Sequence, residues 1–135
     1  YTTHQAFSFT LLHDVLVRGL GPGLEEESVL WKTMDAFGRK QAQFHPYWSN
    51  SSLVKTSPKG SHASLYVRPG KGVICVLSNL GKSAANATAT LNLNKMKLGK
   101  NVKATNVFTG ETIPIVNGKV SVQMDSFDYA LIWIK

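Results

Sequence analysis

A chain of 135 residues, 43% of them hydrophobic, suits one domain with a real core, and its single cysteine, Cys75, excludes an internal disulfide. No run of eighteen apolar residues occurs, so no helical membrane span is expected. The net charge of +7 is uneven, with two basic and five acidic side chains in residues 1–35 against thirteen basic and three acidic in residues 36–135. The basic residues are scattered over predicted turns and strand ends, among them Lys55, Lys59, Lys71, Lys82, Lys100 and Lys119, and the densest group, Lys95 to Lys103, spans one connection. Lysines placed this way keep sheet edges soluble, and nucleic acid is not the expected partner. The chain opens on Tyr1 and shows no signal peptide, which reads as a piece of a longer or processed protein.

Residues 1–17 are apolar with polar interruptions, and their periodicity does not separate helix from buried strand. They end in Arg18-Gly19-Leu20-Gly21-Pro22-Gly23, a loop rich in breakers. Residues 24–37 predict one helix. Glu25, Glu26 and Glu27 fill its first turn, where carboxylates meet the positive end of the dipole. Leu30, Trp31, Met34 and Phe37 form its apolar stripe, and Gly38 supplies a left-handed stop. Residues 41–60 predict an irregular connection that packs Phe44, Tyr47 and Trp48 on a neighbour.

After residue 61 the hydrophobic period becomes two. In 62–68, Ala63, Leu65 and Val67 alternate with His62, Ser64, Tyr66 and Arg68. Val73–Ser78 is continuously apolar but for its end, as a central strand is, and Cys75 within it reads as a small buried hydrophobe. Residues 84–93 alternate cleanly between Ala or Leu and Asn or Thr. Strands are expected at 102–108, 111–116, 119–124 and 129–134 as well, with Asn117-Gly118 as a type I′ hairpin turn. About seven short strands without intervening helices mean an antiparallel β-sandwich or barrel. Strands 62–68 and 84–93 are expected to show one wet face each.

Two N-x-[ST] sequons, at Asn50 and Asn86, sit in a predicted polar loop and on the polar face of a predicted strand. If they are used, the protein follows a secreted or lysosomal route. The four histidines lack metal-ligand spacing, and no phosphate-binding loop or G-x-S-x-G elbow occurs, so no cofactor or metal is expected. Phe44, Tyr47 and Trp48 could offer flat faces to sugar rings, although packing between domains is the commoner use of such residues.

The order of these features resembles the C-terminal end of (β/α)8-barrel glycoside hydrolases. Three segments carry the likeness: Val73–Gly81, similar to a V-V-x-N-L strand; Asn106–Glu111, similar to a D-x-x-T-G-E turn; and Phe127–Ile134, similar to a closing Y-x-L-I strand. Within that class the chain most resembles the family 123-like group, with His13–Arg18 and Leu30-Trp31-Lys32 similar to the end of the barrel and Tyr47–Asn50 to a Y-W-x-N linker. The resemblance implies barrel elements over 1–45, a linker over 46–60 and a β-sandwich over 61–135. It implies that catalytic carboxylates lie on earlier strands that this chain does not contain.

The expected role is therefore an accessory, non-catalytic sandwich packed on an upstream barrel or companion chain. A carbohydrate- or protein-binding module, or a structural protein reusing the fold, is the alternative. His13, Asp14, Tyr47 and Trp48 are the candidate substrate contacts, although local hydrogen bonding is the commoner use of a pair such as His13 and Asp14. A large apolar surface on residues 1–48 is expected to await upstream chain. Deleting residues 1–40 would then rescue solubility.

Overall fold

The computed structural model describes Gln5, Ser8, residues 10–13 and residues 24–135, and its secondary structure follows the hydrophobic pattern closely. Helix α1 (Leu24–Phe37) has the predicted bounds. Leu30, Met34 and Phe37 are buried, and Trp31 is half-buried. Gly38 ends the helix at φ 85, donating its N–H to the carbonyls of Met34 and Asp35. A side chain there would strike the Arg68 guanidinium, whose Nη1 donates to the Phe37 carbonyl at 2.9 Å. Glycine thus supplies both the left-handed turn and room for the arginine that satisfies an open helix carbonyl.

Nine strands follow among the described residues: β1 (Gln43–His45), β2 (Val54–Ser57), β3 (Ser61–Arg68), β4 (Gly72–Asn79), β5 (Ala85–Leu91), β6 (Ala104–Asn106), β7 (Thr112–Ile113), β8 (Lys119–Met124) and β9 (Asp128–Ile134). One sheet runs β1-β3-β4-β9-β6-β7 and the other β2-β5-β8, with every pairing antiparallel. The expected mainly-β sandwich is present. Residues 41–60, read as irregular, contribute β1 to one sheet and β2 to the other.

Register explains the burial. Across β3-β4-β9, Val67, Val73 and Ile134 lie abreast, as do Leu65, Cys75 and Ile132, then Ala63, Leu77 and Ala130. These rows face β5, where Ala87, Ala89 and Leu91 complete the core between the sheets. The intervening rows point the other way: Tyr66, Ile74 and Trp133, then Ser64, Val76 and Leu131. They form a second core with Leu11, Leu12, Leu30, Met34 and Phe37. β4 is buried throughout, and apolar from Val73 to Leu77, because both its faces are interiors.

One expectation changes here. β3 has no wet face, because Ser64 and Tyr66 are covered by the helical layer. Of the apolar surface expected over 1–48, most of residues 1–23 lie outside the described residues, and among the described side chains up to 48 the exposed large hydrophobics are Val29 and Trp48. β5 keeps the expected wet face, with Asn86 exposed and Thr88 and Thr90 half-buried. The strand expected over 102–108 stops at 106 because Asn106 Oδ1 accepts the N–H groups of Phe108 and Thr109, turning the chain at once. Cys75 is fully buried, and burial pushes its thiol up to about 12, which leaves it protonated and inert.

Candidate functional site

The loop from Pro46 to Leu53 brings together side chains far apart in sequence. The Tyr47 N–H donates to Ser64 Oγ at 3.0 Å, and Ser64 Oγ donates to the Leu12 carbonyl at 2.7 Å. One buried serine of β3 thereby holds the aromatic loop and the 3-10 turn Leu11–His13 side by side. The His13 ring stacks on Trp48 with centroids 5.2 Å apart at 29° and meets Tyr47 edge-on at 5.6 Å. Tyr47 is also edge-on to Trp48 at 5.2 Å and tilts over His62 at 4.8 Å. Partial burial lowers the His62 pKa, which favours the neutral ring. Trp48 is 59% exposed.

Asn50 fixes the loop from below. It is 4% exposed, and its Nδ2 donates to the carbonyls of His45 at 3.1 Å and Ala63 at 2.8 Å. Its own carbonyl accepts the N–H groups of Leu53 and Val54. The amide nitrogen that a glycan would occupy is therefore buried and engaged, although Asn50 lies in the polar loop that sequence predicted. Of the two sequons, the folded chain presents Asn86. Asn50→Ala is expected to cost about 2–4 kcal/mol in urea unfolding, because two carbonyls lose their donor at once. Asn86→Ala is expected to fall within about 0.5 kcal/mol of the parent.

Beside the rings lies a cavity of about 290 Å³ lined by Tyr47, Asn50, Lys55, Thr56 and His62 among others. It shares Ser51, Val54 and Lys55 with a larger groove of about 820 Å³ that runs along β2 and the end of β5.

The structure thus unites His13, Tyr47 and Trp48. Asp14 lies outside the described residues. Phe44 is placed elsewhere, tilted over Tyr66 at 5.0 Å against the second core. His62 was not among the candidate contacts read from sequence. The only hint was its place on the polar side of the β3 alternation, and its neighbourhood depends on where the loop crosses the strand. Of the carboxylates, Asp128 accepts the N–H groups of Tyr129 at 2.8 Å and Asp125 at 3.3 Å, while Asp35, Glu111 and Asp125 are exposed.

A sequence profile described as "Glycoside hydrolase 123, C-terminal domain" matches residues 26–126. The chain belongs to the glycoside hydrolase 123 C-terminal domain family. The family match contains α1 from its third residue, both sheets through β8, and the aromatic loop. It excludes His13–Arg18 and β9, two of the stretches on which the resemblance was drawn. No curated protein sequence matches the chain. Among solved structures, this family member is similar to an Anoxybacillus α-amylase presented as a new glycosyl hydrolase subclass, with TM-score 0.57, 10% identity and coverage of 82% of this chain and 22% of that one. It is also similar to AmyB, a noncanonic maltogenic α-amylase from Thermotoga neapolitana, with TM-score 0.52, 12% identity and coverage of 88% of this chain and 27% of that one. At such identities the likeness is one of fold. The family 123 domain spans about a quarter of the length of either amylase.

Proposed function

We propose that this C-terminal domain is accessory and non-catalytic, and that it stabilises an upstream barrel-type catalytic domain of a glycoside hydrolase by packing through its helical layer. The observation that carries this reading is the second core. Five apolar side chains from the turn Leu11–His13 and α1 are sunk into the outer face of the six-stranded sheet, so the chain enters the sandwich through a layer fused to it. The described carboxylates support the same reading, being either exposed at turns and helix or bonded to local backbone. A secretory or lysosomal route fits the exposed sequon at Asn86. No helix among the described residues is long and apolar enough to cross a membrane.

Met34→Ala in the full-length hydrolase tests the proposal. Met34 is buried between α1 and the sheet, and its truncation costs about 2–4 kcal/mol. The half-life of activity at raised temperature is expected to shorten about tenfold or more, with kcat and KM unchanged at a temperature where the fold is intact. A fall in kcat under those intact conditions would show instead that the domain takes part in the chemistry.

A further inference from the structure

Trp48 keeps 59% of its surface in water, although burying an indole is among the most favourable moves open to a side chain. Its exposure is not looseness. His13 lies nearly parallel to the indole and Tyr47 stands against its edge, so two rings set its plane. Asn50 and Ser64 pin the loop beneath it. The surroundings are hydrophilic: Ser49, Ser51, Ser52 and Lys55 are all exposed. The centre of a protein interface is a continuous apolar patch poor in charge. A single flat apolar face set among hydroxyls and an ammonium has a different chemistry. It matches a sugar ring, whose C–H face is apolar and whose rim is a ring of hydroxyls.

A cavity beside Tyr47, the edge-on neighbour of the indole, fits the same ligand. Tyr47 forms one wall of the 290 Å³ cavity, and Ser51, Lys55, Thr56 and His62 bring polar groups to the others. The cavity continues through Ser51 and Lys55 into the 820 Å³ groove, where Thr90, Asn92 and Asn94 add further donors and acceptors. Concave sites of this kind combine an apolar contact with a few placed polar groups. We propose that Trp48, Tyr47 and the adjoining cavity form a binding site for an uncharged pyranose oligosaccharide, one ring stacked on Trp48 and the following rings hydrogen-bonded along Ser51, Lys55 and Thr56. Trp48 itself lies outside the second core, on which Tyr47 packs, so the substitution that tests the site is made at the indole.

The 135-residue chain titrated separately with maltotetraose, cellotetraose and chitotetraose, by calorimetry and tryptophan fluorescence, tests the site. At least one sugar is expected to bind saturably and blue-shift the emission as the exposed indole leaves water. Trp48→Ala is expected to weaken that binding about tenfold or more while lowering the thermal midpoint by only a few degrees, since the side chain is mostly solvated and loses only its contacts with His13 and Tyr47. Thr56→Ala and Lys55→Ala are each expected to weaken it about threefold. No saturable binding of any of the three sugars, or binding that survives Trp48→Ala, would overturn the proposal. So would a Trp48→Ala full-length protein whose upstream domain detaches on limited proteolysis, because the indole would then be a protein contact.

Discussion

A chain lacking residues 1–40 is expected to lose its cooperative thermal transition and to elute as aggregate in size-exclusion chromatography. The deletion removes Leu11, Leu12, Leu30, Met34 and Phe37, and it uncovers Tyr66, Ile74, Val76 and Leu131. Each buried apolar side chain contributes about 1.5–3 kcal/mol, and a whole domain is stable by only about 5–15 kcal/mol. Loss of five such contributions leaves no margin, and the bared sheet face is a continuous apolar patch. The sequence alone suggested the reverse, that the deletion would rescue solubility. That expectation assumed that the apolar residues of the N-terminal third faced outward. Leu11, Leu12, Leu30, Met34 and Phe37 instead share a core with residues of β3, β4 and β9, so the deleted protein should be worse behaved than the intact one. A soluble monomer with an unchanged melting profile would refute this placement of the helical layer.

Gly118→Ala is expected to destabilise the fold by about 3–4 kcal/mol in chemical denaturation. Asn117 and Gly118 form the β-turn before β8 with φ of 52 and 77. Asparagine tolerates its position, but the methyl of an alanine at 118 would press into the Leu91 carbonyl oxygen. That oxygen belongs to backbone and cannot swing aside. Leu91 N–H also donates to the Gly118 carbonyl at 2.8 Å, so any shift that relieves the clash strains the joint between β5 and β8. Gly110→Ala is the control. Gly110 has a similar φ of 74, but nothing lies within 4 Å of the added methyl, and about 1 kcal/mol is expected. Equal costs for the two substitutions would show that the Leu91 contact does not matter.

What the sequence revealed depends on how locally each element is determined. α1 was legible to the residue because its stripe and its stop, Gly38, are contiguous. β8 and the turn before it were legible because Asn117-Gly118 fixes a hairpin by backbone preference alone. β2 was not, since Val-Lys-Thr-Ser has one apolar residue and becomes a strand only by pairing with Leu91 to Thr88 far along the chain. The second face of β3 was misread for a related reason. Ser64 and Tyr66 look like a wet face until the turn at Leu12 and helix α1 are laid over them.

The candidate site divides the same way. Tyr47, Trp48 and His13 were recognisable by residue type and by the resemblance. Their meeting depends on Ser64, whose hydroxyl links a loop and a turn that sequence gave no reason to join. Asn50 looked like a sequon in a loop because its residue type and neighbours are polar. Its burial follows from two carbonyls, of His45 and Ala63, that only the folded strands bring within reach of one amide.

Native-state hydrogen exchange on the intact chain, followed with increasing denaturant, bears most directly on whether the helical layer and the sandwich are one cooperative unit. If they are, the amides of α1 that face the sheet, at Leu30 and Met34, should open with the same free energy and the same denaturant dependence as those of Ile74 and Val76 in β4. Helix amides that exchange freely while β4 stays protected would mean that the layer peels away alone, and the two-sided core described here would be wrong.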